Sequence, residues 1–106
     1  MSEAFRREID AAIASDDPEE LLSVVIDLAL VAEDAAWAAE RLLALARHPS
    51  NDVRGNALIA LAHLVARSRS LDRPAIVAVL RAARSDRARH VREQAEAALA
   101  ELGEGD

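Results

Sequence analysis

A chain of 106 residues that is 52% hydrophobic but only 2% aromatic, with 3 Gly and 3 Pro, fits a single all-α domain whose core is filled by Ala, Leu and Val. The absence of cysteine excludes a disulfide scaffold, a thiol nucleophile and a zinc–thiolate site. The net charge of −6 is uneven: residues 1–50 carry 11 acids against 4 Arg and residues 51–106 carry 8 against 9, so the first half repels phosphate backbones and suits basic partners.

Apolar residues recurring with a 3.6-residue period predict six helices. The first runs from Glu3 to Ala14 with Ser2 as its cap. Ser15, Asp16, Asp17 and Pro18 interrupt the pattern. Asp17 then caps a second helix that reaches Val31, with Pro18 at its first position and Glu19 and Glu20 at the positive end of its dipole. The third helix spans Asp34 to Arg47 and is stopped by His48-Pro49-Ser50-Asn51. The fourth spans Asp52 to Ala66, a polar link follows from Arg67 to Arg73, Pro74 opens a fifth helix ending at Arg84, and the sixth spans Ala88 to Leu102. Gly103 to Asp106 reads as a frayed tail. The longest apolar run, Leu28 to Ala32, is far short of the ~20 residues that cross a bilayer, and Met1 to Asp10 has no signal-peptide core. The expectation is a cytoplasmic protein with no membrane partner, monomeric when free.

An internal repeat organises the second half. Asp52 to Leu64 superimposes on His90 to Leu102 at an offset of 38, with seven of thirteen positions identical: Val53/Val91, Arg54/Arg92, Ala57/Ala95, Ala60/Ala98, Leu61/Leu99, Ala62/Ala100 and Leu64/Leu102. Each copy follows a shorter helix with its own stripe, Leu42/Leu45 and Val79/Leu80/Ala83. One helical hairpin cannot bury such a stripe alone, but three stacked hairpins make a continuous core.

The segments Leu42 to Arg54 and Ser85 to Arg92, in which an apolar helix leads through a turn into Val-Arg and a second helix, resemble HEAT repeats over residues 36–102. Two departures mark the chain: His48 stands where the first copy's turn Asp is expected, and the second copy lacks the turn Pro. The resemblance implies an α-solenoid of about three hairpins: a degenerate capping hairpin at residues 3–31, a second at 34–66 and a third at 74–102. It also implies that Arg54 and Arg92 pair with acids of a neighbouring hairpin such as Asp52 and Asp86, and that the second helix of each hairpin lines the binding side.

Candidate contact residues follow. Asn56, Ile59, His63 and Arg67 recur at i, i+3, i+4 spacing on a face distinct from the Val53, Ala57, Leu61 and Leu64 stripe. Ser23, Asp27 and Asp34 fall at helical spacing, with Glu20 one turn earlier and Glu33 adjoining, and would make the N-terminal end acidic. Trp37 and Phe5, the sole Trp and Phe, read as packing residues. His48, His63 and His90 lack metal-ligand spacing, and there is no phosphate loop or nucleophile elbow. No catalytic residue, cofactor, metal or nucleic-acid partner is expected. A DNA glycosylase, also HEAT-like, needs a basic groove with aromatics, and this chain has neither.

The stretch Val53 to Leu64, with Ala66-Arg67 and Leu71-Asp72, further resembles the short, acidic, HEAT-like immunity proteins of contact-dependent growth inhibition and related polymorphic toxin systems. That resemblance implies a protein that binds a cognate toxin, often a basic nuclease domain, and occludes its active site. Contacts are expected from Asp27, Glu33, Asp34, Asn56, Ile59, His63 and Arg67. A general adaptor without a toxin partner is the alternative.

Overall fold

The computed structural model describes residues 2–105, and among these there are six α-helices and no strand: α1 (Glu3–Ser15), α2 (Pro18–Leu30), α3 (Ala35–Leu45), α4 (Asn51–Arg67), α5 (Arg73–Ala82) and α6 (Arg89–Glu101). No helix is long and apolar enough to cross a membrane.

Side-chain caps set the helix starts. Ser2, Asp17, Asp34, Ser50 and Asp72 each accept a backbone N–H from the first turn of the helix that follows, which satisfies a donor with no partner inside the helix. Ser50 therefore opens α4 one residue before the expected Asp52. The end of α1 is set by Asp16, the one described non-glycine residue with positive φ, at 58°, whose N–H closes onto Ala12 and Ile13 carbonyls.

α5 stops at Ala82, two residues before the expected Arg84, and the chain tightens into a 3₁₀ turn over Ala83–Ser85. The Asp86 N–H closes that turn on the Ala83 carbonyl. α6 starts at Arg89 without a side-chain cap, since Ala88 stands at the cap position, and the Ala88 N–H is taken up by the Asp86 carboxylate.

Close approaches pair α1 with α2, α3 with α4 and α5 with α6, and they place α4 between α2 and α6 in a row. The shape follows, 40 × 29 × 16 Å, with the short dimension near the thickness of two helices. The stripe identified by the repeat forms the core: Val53, Ala57, Leu61 and Leu64 on α4 are buried with Val91, Ala95 and Leu99 on α6. Ala100 is the exception, exposed where its counterpart Ala62 is buried, because α6 ends the row and has no following helix beside it.

Polar contacts lock neighbouring hairpins. Between α1 and α3, Trp37 packs at 6.1 Å from the Phe5 ring, with the Arg6 and Arg41 guanidinium groups 5.3 and 4.2 Å from its own ring centre. The same two arginines reach Asp34 and Asp10. At the hairpin turns, His48 Nε2 lies 2.6 Å from Asp16. Its Nδ1 accepts the Ser50 N–H, so the neutral ring carries its proton on Nε2 and donates it to the carboxylate. Arg54, 5% exposed, is buried and fully satisfied by Asp86, Asn51 and the carbonyls of His48 and Pro49.

The expected pairing of Arg54 with Asp86 is thus present. Arg92 repeats only half of it. It donates to the Asp86 carbonyl six residues back, as Arg54 does to His48, but no carboxylate among the described residues lies within ion-pair distance of it. Asp52 faces His90 at 3.9 Å rather than an arginine.

Candidate functional site: a groove across α2, α4 and α6

The row of α2, α4 and α6 leaves one face uncovered, and a groove of about 230 Å³ runs over it. α2 contributes Val25, Ile26, Ala29 and Leu30, and α4 contributes Asn56, Ile59, Ala60 and His63. α6 contributes Gln94, the counterpart of Asn56 at the repeat offset of 38. The floor is apolar and the α4–α6 side is lined by two amides and an imidazole. Ile26 and Leu30 are 57% and 69% exposed, and with the neighbouring Val31 they are the large apolar side chains this fold leaves in water. Such a patch marks a contact surface more often than a solvated one.

The fold explains why these residues stand open. α2 is apolar except for one strip carrying Glu20, Ser23 and Asp27, yet only Leu21, Val24, Val25, Leu28 and Ala29, with half-buried Leu22, meet the core. Ile26 lies about 100° around the helix from Val25, and Leu30 one turn further on the same side. α4 and α6 lie side by side because Gly55 lets the His90 ring come down on its backbone. A Cβ there would stand 2.8 Å from His90 Cδ2 and 3.2 Å from Gln94 Cγ. At the lower end of the groove, His63 Nδ1 is 2.8 Å from a Glu101 carboxylate oxygen on α6.

Of the residues expected to make contacts, Asn56, Ile59 and His63 come together in this groove. Arg67 continues their stripe, but its guanidinium turns onto the carbonyls of Ala29 and Ala32, at 3.1 and 3.0 Å, and ties the end of α4 to the end of α2. Asp34 caps α3 and bonds Arg6. The Trp37 N–H, followed by the charge and hydrogen bond of Arg6, holds its carboxyl below the usual aspartate range. Asp27 follows Ile26 by one residue and lines no part of the groove, and Glu33 lies exposed in the turn between α2 and α3.

Sequence reasoning missed Ile26, Leu30 and Gln94. The signal for the first two was present: the apolar arc of α2 is wider than one packing face covers, so part of it is left for something else.

A furrow also separates α3 from α5 on the opposite side, with Leu43, Leu58 and Val79 along it. Leu58 is fully buried there, Leu43 and Val79 are half-buried, and no large apolar side chain along it is exposed. Among the described residues no cluster of His, Asp and Glu has the geometry of a metal site. Compared with protein-family models, with curated proteins and with solved structures, the chain gives no match.

Proposed function

We propose that this chain is a non-enzymatic protein-binding module, a HEAT-like array of three stacked hairpins that acts in the cytoplasm as an immunity protein. It binds a cognate toxin domain through the α2/α4/α6 groove and covers the toxin's active site. The observation that carries the reading is the pair of exposed residues Ile26 and Leu30 on a groove shared by three helices.

The groove is smaller than the roughly 300–1,000 Å³ typical of small-molecule sites and suits anchoring side chains of a protein surface. The row α2–α4–α6, with each hairpin beside the next, supports the stacked-hairpin reading. The charge of the first half, 11 acids against 4 Arg, favours a basic partner such as a nuclease and speeds encounter with it.

The test is co-elution of the purified chain with any toxin domain encoded next to its gene, and loss of that domain's nuclease activity on mixing. Ile26→Asp with Leu30→Asp abolishes both while leaving the melting temperature unchanged. Unaltered binding by that double variant sinks the reading. Binding to an operon enzyme instead makes the protein a general adaptor.

A further inference from the structure

The groove is not evenly polar along its α6 side. Two carboxylates lie just outside its lining, one beyond each end of the Asn56–His63 stripe. Asp52 precedes Asn56 by one turn of α4 and is largely exposed, with His90 3.9 Å away. Glu101 lies at the level of His63 and is about one-third exposed. The eleven residues from Asp52 to His63 correspond to roughly 16 Å along the helix axis. Between these ends lie the amides of Asn56 and Gln94, and on the α2 side the apolar residues Ile26, Leu30 and Ile59. No arginine lines the groove, and the one arginine on the α4 stripe, Arg67, is committed to backbone carbonyls.

We infer that the groove takes a cationic amphipathic helix of a partner protein. Its apolar face lies on Ile26, Leu30 and Ile59, and two Lys or Arg residues about eleven positions apart reach Asp52 and Glu101. The stripes on the two helices match in period: apolar residues at i, i+3, i+4 and i+7 fill the floor, and the flank turned toward α6 carries the charges. The same chemistry rejects an anionic membrane or a nucleic acid, because both would press phosphates onto these carboxylates. At the lower end the partner's cation competes with His63 for Glu101. This inference rests on the groove being the binding surface and adds the chemistry of its occupant.

The probe is a helical Leu/Lys peptide of about 20 residues with leucines at i, i+3, i+4 and i+7, compared with its Leu/Glu counterpart. The chain holds five isoleucines, and their methyl resonances report position: Ile26 and Ile59 in the groove, Ile76 on α5 in a separate hollow beside Ala39 and Leu43 of α3, Ile9 and Ile13 on α1. The Leu/Lys peptide is expected to shift Ile26 and Ile59 only, and the Leu/Glu peptide to shift none.

Glu101→Gln weakens binding by about two- to fivefold, the worth of one exposed ion pair. His63→Gln breaks the same contact within the protein but frees Glu101, so it tightens binding, an opposite sign that a general loosening of α4 against α6 cannot produce. Equal binding of both peptides, or no effect of Glu101→Gln, overturns the cationic occupant and leaves the groove itself standing as a protein-binding surface. Shifts at Ile76 alone, or at none of the five, overturn the groove as well.

Discussion

Arg54 grips Asp86 with two parallel hydrogen bonds of 2.8 Å, Nε to one carboxylate oxygen and Nη2 to the other, and so joins the first turn of α4 to the turn before α6. The remaining guanidinium hydrogens reach the carbonyls of His48 and Pro49 and the Asn51 side chain, so a buried charge has every donor satisfied. Removing one partner leaves the other charge buried and alone. Arg54→Met is therefore expected to destabilise the protein by about 3 kcal/mol, measured as a lower urea midpoint at unchanged m-value.

The same clasp sets an acid dependence. The Arg54 hydrogen bonds, helped by the Ala88 N–H, lower the Asp86 pKa from 3.8 to about 2. A carboxyl with a depressed folded-state pKa contributes stability in full above its unfolded value, and that contribution fades as pH falls through the folded value. About 2 kcal/mol should be lost between pH 5 and pH 2. Asp86→Asn should be less stable at pH 7 and should lack that part of the slope, as read by denaturant melts across the range.

Gly55 permits the close seam of α4 and α6. Alanine is the better helix former by about 1 kcal/mol, but here its Cβ would meet the His90 ring at 2.8 Å. Gly55→Ala is expected to lose about 1 kcal/mol net through overpacking, whereas Gly55→Ala in a His90→Ala background should gain stability. A double-mutant cycle with no coupling between the two positions would contradict the contact.

Arg67 holds the C-terminal carbonyls of α2. Arg67→Ala should raise the hydrogen-exchange rates of the Val31 and Ala32 amides, which close the last turn of α2 on the Asp27 carbonyl. The α6 amides should keep their protection. Exchange rising equally in both helices would show that Arg67 supports the whole fold rather than one helix end.

Leu61 is wholly buried at the centre of the repeat stripe. Leu61→Asp places a carboxylate among leucines, and no cooperative thermal transition is expected from that variant. A normal melt would mean that the stripe is not the core.

The helices were readable because caps and periodicity are local. Asp17-Pro18 and the Pro74 region announce their helix starts, and the 38-residue repeat identifies Val53, Leu61, Val91 and Leu99 as core. The 3₁₀ turn at Ala83–Ser85 was not readable, since its purpose is to aim Asp86 at an arginine 32 residues away. The groove was half readable. Asn56, Ile59 and His63 follow from spacing alone, but the roles of Asp34 and Arg67 depend on Arg6 and on the end of α2, which no local pattern reveals. Ile26 and Leu30 were hidden in the broad apolar arc of α2, where only the position of α4 decides which residues stay in water.

The arrangement around α4 has a kinetic consequence. α4 packs against α2, α3, α5 and α6, whereas the backbone of α1 approaches closely only that of α2. Assembly should therefore condense on the middle of the chain, with the N-terminal helix arriving late. Because most pairings join segments near one another in sequence, the refolding rate should fall in the microsecond-to-millisecond range of low-contact-order helical proteins. Mutations in α4 should slow refolding, and mutations in α1 should mainly hasten unfolding.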